Sequence, residues 1–113
     1  MTKPNRCRKD ISTDGEAGAA QARMFRALAH PARIRLIRRL MEGDCCVSEA
    51  EACLKISQPN VSQHLKILKT AGLIVGERRG AKICYRLIDA RVERVLRALS
   101  LKENLDEEHH RNE

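Results

Sequence analysis

The stretch SQPNVSQHLKILKTAGL, residues 57–73, constrains the fold more than any other part of the chain. Ser57 is a preferred N-cap residue, and Pro59 falls in the first turn of a helix, where a backbone N–H has no helical partner. Gly72 suits the position just after a helix. Three apolar residues recur at helical spacing and define one buried stripe: Val61, Leu65 and Leu68. The stretch is therefore predicted to be an amphipathic helix with a signal at each end.

The side of this helix opposite the stripe is polar and largely uncharged. Amide and hydroxyl groups can donate and accept hydrogen bonds at base edges in a major groove, and a lysine can reach a phosphate or a guanine. The candidate DNA-contacting residues of the helix are Ser57, Gln58, Asn60, Ser62, Gln63, His64 and Lys66. An ordinary surface helix has the same pattern, so the neighbouring segments must decide between the two interpretations.

Three further helices are predicted before this one. The first begins near Glu16, with an inner side formed by Ala22, Phe25, Leu28 and Ala29. The second begins at Pro31, with an inner side formed by Ile34, Ile37, Leu40 and Met41. The third runs from about Val47 to Leu54, with an inner side formed by Val47, Ala50, Cys53 and Leu54. Only the turn from Lys55 to Ser57 separates the third helix from the next, and this arrangement indicates a helix-turn-helix.

After Gly72 the spacing of apolar residues changes from that of a helix to that of a strand. Two strands are predicted, Leu73 to Glu77 and Lys82 to Ile88, with Gly80 able to supply the positive φ of a hairpin turn. A hairpin directly after a recognition helix is typical of the wing of a winged helix-turn-helix. Basic residues near the tip are usually solvated, but here they are candidates for phosphate or minor-groove contact: Arg78, Arg79 and Lys82.

A fifth helix is predicted after the hairpin, with Asp89 as its cap. So small a domain leaves little interior to cover its apolar stripe, and pairing with the first helix across a two-fold axis would bury it. The residues predicted at this dimer interface are Phe25, Val92, Val95, Leu96 and Leu99. The predicted fold class is mainly α with a small β-hairpin: five helices and a two-stranded wing, in a dimer.

The charge of the chain favours a polyanionic partner. The net charge is +7 over 113 residues, and the tail from Lys102 to Glu113 is acidic, so the rest of the chain is more basic still. We expect a mobile arm over residues 1–15, one DNA-binding and dimerisation domain over 16–101, and an acidic tail over 102–113. No apolar run could span a bilayer and no signal peptide is recognised, so we expect a cytoplasmic protein without a membrane partner. The five cysteines form no disulfide framework and no CxxC pair, which argues against the alternative of a small thiol oxidoreductase and against an enzyme.

About two thirds of the chain, from Phe25 to Leu99, resembles the ArsR/SmtB family of winged-helix repressors. The resemblance is carried by three segments: FRALAHPARIRLIRRL, SQPNVSQHLKILKTAGLI and VGERRGAKICYRLID. It implies a homodimer that needs no cofactor to bind a double-stranded DNA operator of inverted symmetry. It also implies release by a metal ion, a metalloid or a thiol-reactive signal.

The resemblance also indicates where an inducer would bind. Many family members carry a Cys-Val-Cys-Asp run at the start of the third helix; Cys46 aligns with its first cysteine, Ser48 replaces the second, and Cys45 adds a neighbour. Three thiolates suit arsenite or antimonite, and thiolates also bind Cd, Pb or Zn. The expected ligands are Cys45 and Cys46, whose thiol pKa values should fall at a helix N-terminus, together with Cys7 by analogy with relatives. Cys53 is the weaker candidate, since it lies on the apolar side of its helix.

Other residues limit which inducer the chain can sense and where it would bind. Oxidation or persulfidation of the same thiols is the alternative to a metal, and Cys84 is predicted to alternate away from the face of Tyr85. The family's second metal site should be absent, because Arg91 stands where that site has a histidine. His109 and His110 lie in the acidic tail and are not expected to be ligands. Lys55 stands where relatives have glycine, and a left-handed conformation there would cost on the order of 1 kcal/mol.

Overall fold

Five helices and a three-stranded antiparallel sheet make up residues 15–99, the part of the chain that the computed structural model describes. The helices are α1 (Gly15–Leu28), α2 (Pro31–Glu42), α3 (Val47–Leu54), α4 (Gln58–Thr70) and α5, which covers residues 90–99. The strands are β1 (Cys45–Cys46), β2 (Ile74–Arg79) and β3 (Lys82–Leu87). The predicted fold, mainly α with five helices and a β-hairpin, is confirmed. Cys7, His109 and His110 lie outside the described residues.

The sheet has one strand more than the two-stranded wing predicted from the sequence. β3 lies in the middle, with β1 and β2 antiparallel on its two sides. Cys45 pairs with Tyr85, and Cys46 pairs with Cys84. A strand of two residues has no period that a sequence pattern could show, so this strand was missed. Its consequence is that the wing is joined directly to the residues that lead into α3.

Side chains cap the N-termini of α2 and α5, and the cap predicted from the sequence is that of Asp89. His30 is the N-cap of α2, and its Nδ1 accepts a hydrogen bond from the backbone N–H of Ala32 at 3.0 Å. Asp89 accepts a hydrogen bond from the backbone N–H of Arg91 at 2.9 Å, which caps α5. The side-chain oxygen of Ser57 makes no capping hydrogen bond, although Ser57 occupies the N-cap position of α4.

The inner side of α1 differs from the prediction. The buried residues are Met24, Ala27 and Leu28, whereas Phe25 and Ala29 are exposed. Both sets of residues have helical spacing, so the pattern alone could not decide which side faces the core. The outcome leaves the ring of Phe25, which is 53% exposed, available on the surface.

The core confirms the stripe of α4 and corrects that of α5. Val61, Leu65 and Leu68 are all buried. Val92 and Leu96 are also buried in this chain's own core, where they are 0% and 2% exposed. They therefore need no partner subunit to cover them, contrary to the prediction that a dimer would bury the whole stripe.

The turn between α3 and α4 places Lys55 in a backbone conformation that is costly for a residue other than glycine. This residue has φ 58° and ψ 42°, in the left-handed region, and its N–H donates to the carbonyl oxygen of Glu51 at 2.7 Å. A left-handed residue lets the chain leave α3 and start α4 within three residues. Lys55 therefore sets the angle at which the exposed side of α4 is presented.

Candidate nucleic-acid interface and cysteine sites

The exposed side of α4 is a continuous polar surface. We call this surface the outer face of α4; it consists of Asn60, Ser62, Gln63, Lys66 and Thr70, all of them exposed. Ser57 and Gln58, at the start of the helix, are exposed as well. Because the apolar stripe fixes the helix against the core, these side chains are held at one surface and in one order.

His64 is the one predicted contact residue of α4 that is partly enclosed. Its ring centroid lies 4.5 Å from that of His30, and its Nδ1 lies 3.4 Å from Nη1 of Arg33. Burial lowers the pKa of His64, and the neighbouring His30 and Arg33 act in the same direction. The ring therefore favours the neutral state and fastens α4 to the start of α2.

The arginines of the wing are placed differently from the prediction. Arg78 and Arg79 belong to strand β2, and the hairpin turn consists of Gly80, with φ 65°, and Ala81. The guanidinium of Arg79 forms ion pairs with Asp44 and Glu77, and hydrogen bonds to these carboxylates raise its pKa. Strand β2 continues to the turn because Arg79 pairs with Lys82 at the end of the ladder.

A groove between α1 and α4 contains two cations that sequence reasoning missed. Arg23 and Arg26 line a cavity of about 730 Å³ together with Gln63 and Lys66 of the outer face. Both arginines are exposed. Arginines three residues apart lie on the same side of a helix, so the sequence could have indicated a basic surface here. The incorrect inner side predicted for α1 prevented this interpretation.

The two adjacent cysteines lie on opposite faces of the sheet. Side chains alternate along a strand, so Cys45 shares a face with Tyr85, whereas Cys46 shares a face with Cys84. Both residues are buried. Burial raises the pKa of the Cys45 thiol to about 11, although Arg39 acts in the opposite direction. This corrects the expectation of a lowered pKa for Cys45, because its sulfur belongs to the core and not to the solvated end of α3.

Cys46 is the N-cap residue of α3 and has polar surroundings. Its Sγ donates to Oε1 of Glu49 at 3.0 Å, and its backbone N–H donates to the same oxygen at 2.9 Å. Its Sγ also lies 3.7 Å from Oγ of Ser48. These two hydrogen bonds from Cys46 lower the pKa of Glu49.

Among residues 15–99, the other two cysteines do not join Cys45 and Cys46 in a group of metal ligands. Cys53 and Cys84 are half-buried, and Cys53 lines a small cavity whose other walls are Arg35, Arg38, Arg39 and Glu42. Among residues 15–99, no three His, Cys, Asp or Glu side chains are arranged to hold a metal ion. Cys7 lies outside that range.

Part of the predicted dimer interface is exposed. Phe25 and Leu99 are 53% and 51% exposed, and Val95 is half-buried. Since large apolar side chains are costly to hydrate, this exposure is consistent with a surface covered by another molecule. Over residues 15–99, none of the helices combines the length and the apolar character that crossing a membrane requires.

Comparison with known proteins gives matches along most of the chain. Residues 30–75 match the arsR family of bacterial regulatory proteins. The transcriptional repressor SmtB of Mycobacterium tuberculosis is 50% identical over 70 residues, which are 62% of this chain and 52% of that protein, so the chain spans about half of its length. A biofilm growth-associated repressor of Xylella fastidiosa is 33% identical over 98 residues, covering 87% of this chain and 83% of the repressor.

Solved structures also match the fold over most of the chain. A homodimeric winged helix-turn-helix DNA-binding domain from Mycobacterium bovis, solved by NMR, has a TM-score of 0.74 and 24% identity, over 85% of this chain and 89% of that one. The winged helix-turn-helix predicted from the sequence is therefore confirmed. So is the prediction that the chain is not an enzyme, because the matched family is one of regulatory proteins.

Proposed function

Because this chain belongs to the arsR family of bacterial regulatory proteins, we propose that it is a dimeric transcriptional repressor that binds double-stranded operator DNA. The observation that carries the proposal is the outer face of α4, a row of exposed polar side chains on a helix whose opposite side is anchored in the core. Two copies related by a two-fold axis would present two such helices to an operator of inverted symmetry.

The outer face and the wing have separate roles in DNA binding. Gln63 and Asn60 have side-chain amides that can pair with a base edge, so they select sequence. Arg78, Lys82 and Lys66 carry charge to the phosphates, so they add affinity without sequence preference. Arg23 and Arg26 extend this positive surface along the groove between α1 and α4.

A direct test uses labelled duplexes that tile the DNA on either side of the gene. We expect one duplex to bind with a steep dependence on salt, with a slope of about 0.9 per phosphate neutralised. Gln63→Ala should reduce discrimination between that duplex and a base-substituted one by about 1 to 3 kcal/mol. Lys69→Ala is the matched control, since Lys69 is exposed on the same helix but was not assigned a contact. Equal discrimination by the wild type and Gln63→Ala would contradict the assigned face.

Dimerisation is proposed through the exposed apolar residues of α1 and α5. Phe25 and Leu99 would provide the apolar contact area of the interface, together with Val95. Val92 and Leu96 are buried and anchor α5 to the core of its own chain. Sedimentation velocity should show a dimer for the wild type and a shift toward monomer for Phe25→Ser/Leu99→Ser. An unchanged dimer in the double variant would place the interface elsewhere.

The effector that releases the DNA acts at cysteine thiols, and Cys46 is the central one. A thiophilic metal or metalloid, with arsenite or antimonite first and Cd, Pb or Zn as alternatives, needs ligands beyond those that residues 15–99 bring together. Cys7 is the proposed additional ligand, and Cys45 is a poor one because its thiol is buried and its pKa is high. Release of a bound duplex by arsenite should be lost in Cys46→Ser and Cys7→Ser and retained in Cys53→Ser. If arsenite released the duplex from Cys46→Ser and from Cys7→Ser as it does from the wild type, the metal-binding proposal would be wrong.

A second candidate effector is an oxidant or a reactive sulfur species. The observation that favours it is the pairing of Cys46 with Cys84 across the sheet, which sets two cysteines directly opposite each other. Oxidation needs only two thiols, whereas the pyramidal coordination of arsenite is best satisfied by three.

A further inference from the structure

Cys46 and Cys84 are direct partners in an antiparallel pair of strands. Directly opposite residues share a face of the sheet, and their Cα atoms lie about 4.5 to 5.5 Å apart in such pairs. Disulfides span Cα separations of about 4.4 to 6.8 Å, so the backbone positions suit a bond. Typical Cβ separations of about 4.5 to 5.5 Å for opposite residues are slightly larger than in a disulfide, and a small approach of β1 would close the difference.

The two thiols differ in how solvent reaches them. Cys84 is half-buried, whereas Cys46 is only 7% exposed but lines a surface cavity of about 370 Å³. Lys82 and Gln58 lie on other walls of this cavity. The cavity therefore opens Cys46 to the surface that also carries the start of α4 and the wing, whereas Cys84 is reached through its own half-exposed side chain.

The neighbouring carboxylate defines the chemistry at Cys46. Its thiol donates to Glu49 at 3.0 Å, so a proton acceptor is already in place. To reach Cys84, the side chain of Cys46 would have to leave Glu49 and take another staggered rotamer about its Cα–Cβ bond. Forming the bond would therefore remove the thiol–carboxylate hydrogen bond at the N-terminus of α3.

We infer that Cys46 and Cys84 form a dithiol site that an organic or inorganic hydroperoxide converts into a cross-strand disulfide. The sulfur of Cys84 attacks the peroxide and the O–O bond breaks. The thiol proton of Cys84 passes to the departing oxygen, so that an alcohol or water leaves and Cys84 becomes a sulfenic acid. The sulfur of Cys46 then attacks the sulfenic sulfur, the S–O bond breaks, and the S–S bond forms. The proton of Cys46 passes by way of Glu49 to the departing hydroxide, which leaves as water. Each disulfide thus consumes one peroxide and two thiols.

The disulfide would fasten β1 to β3 and shift the start of α3. Because only Lys55, Ile56 and Ser57 separate α3 from α4, such a shift would be passed to the outer face of α4. This consequence for DNA rests on the proposed function, whereas the bond itself does not. We expect oxidation to weaken operator binding roughly tenfold, within the range of measured couplings between two sites.

The bond is tested by peptide mapping of the full chain after hydrogen peroxide treatment and alkylation. Trypsin releases Cys84 on the peptide ICYR, and a protease specific for glutamate separates GDCCVSE from Cys53. We expect ICYR linked to GDCCVSE, two hydrogen atoms lighter than the separate peptides. The link should persist in Cys45→Ala and Cys53→Ser and disappear in Cys84→Ser. A link to Cys53, a link lost in Cys45→Ala, or thiols oxidised without any link would overturn the inference.

Binding of the reduced proteins separates this inference from the proposed function. Reduced Cys84→Ser should bind the operator duplex as the wild type does and should keep its affinity after peroxide treatment. If the reduced wild type bound no DNA but formed the mapped link, the repressor proposal would fail and the dithiol site would stand. If reduced proteins bound DNA but no link formed, the dithiol site alone would fail.

Discussion

Replacing Lys55 by glycine should stabilise the fold. Lys55 is exposed and has φ 58°, a conformation that places the Cβ of an L-residue too close to the following carbonyl oxygen. That crowding costs about 1 to 2 kcal/mol, and glycine avoids it. Glycine also makes the unfolded chain more flexible, which offsets about 0.5 to 1 kcal/mol. The difference leaves a net gain in the free energy of unfolding of about 0.5 to 1 kcal/mol.

The matched control for this change is Lys55→Ala. Alanine removes the same long, charged side chain but keeps the Cβ, so it retains the crowding and should give no comparable gain. Urea unfolding at equal protein concentrations measures both variants, because the stability of a dimer depends on concentration. For a domain of this size, the gain for glycine corresponds to a rise in Tm of about 2 to 8 °C. If Lys55→Gly were no more stable than Lys55→Ala, the left-handed backbone would not be the source of the strain.

Three further predictions concern the core, pH and the wing. Leu68 is fully buried in the α4 stripe, so Leu68→Ala should lower the free energy of unfolding, measured by urea titration, by about 2 to 5 kcal/mol. A loss below about 1 kcal/mol would mean that the stripe is not packed as described. The pKa of His64 lies below its ordinary value of 6.5, so the unfolded chain binds the proton more readily and the stability of the fold decreases as the pH drops through 6.5. The Tm of the wild type minus that of His64→Gln should therefore decrease between pH 7.5 and 5. A difference that does not depend on pH would contradict the lowered pKa. Arg79→Ala breaks surface ion pairs with Asp44 and Glu77, so the Tm should change little. DNA-binding titrations should show weaker affinity for all sequences alike, and a loss confined to one sequence would indicate that Arg79 reads a base.

The amphipathic helix and the hairpin were predictable because each has a period that repeats along the chain. The stripe of Val61, Leu65 and Leu68 fixed both the existence of α4 and the side that it exposes. The cost of a left-handed conformation at Lys55 was considered because relatives have glycine at that position, and the structure shows that conformation. In these places, local sequence and overall fold agree.

The features that were missed depend on contacts between distant parts of the chain. Strand β1 exists because β3 pairs with it, and its two residues carry no pattern of their own. The register that sets Cys46 opposite Cys84 is likewise a property of the folded sheet. The ion pair of Arg79 with Asp44 joins residues that the sequence gives no reason to associate. The thiol site therefore required the structure, whereas the DNA-reading helix did not.

Selection of bound duplexes from a random DNA library, with the reduced wild-type protein, tests the central claim most directly. We predict enrichment of a sequence with inverted symmetry, whose half-sites are spaced by about one helical turn or a multiple of it. The same selection with Gln63→Ala/Lys66→Ala should lose this preference, while Lys69→Ala should retain it. Recovery of no preferred sequence by the wild type, or of the same sequence by the double variant, would contradict recognition of DNA by the outer face of α4.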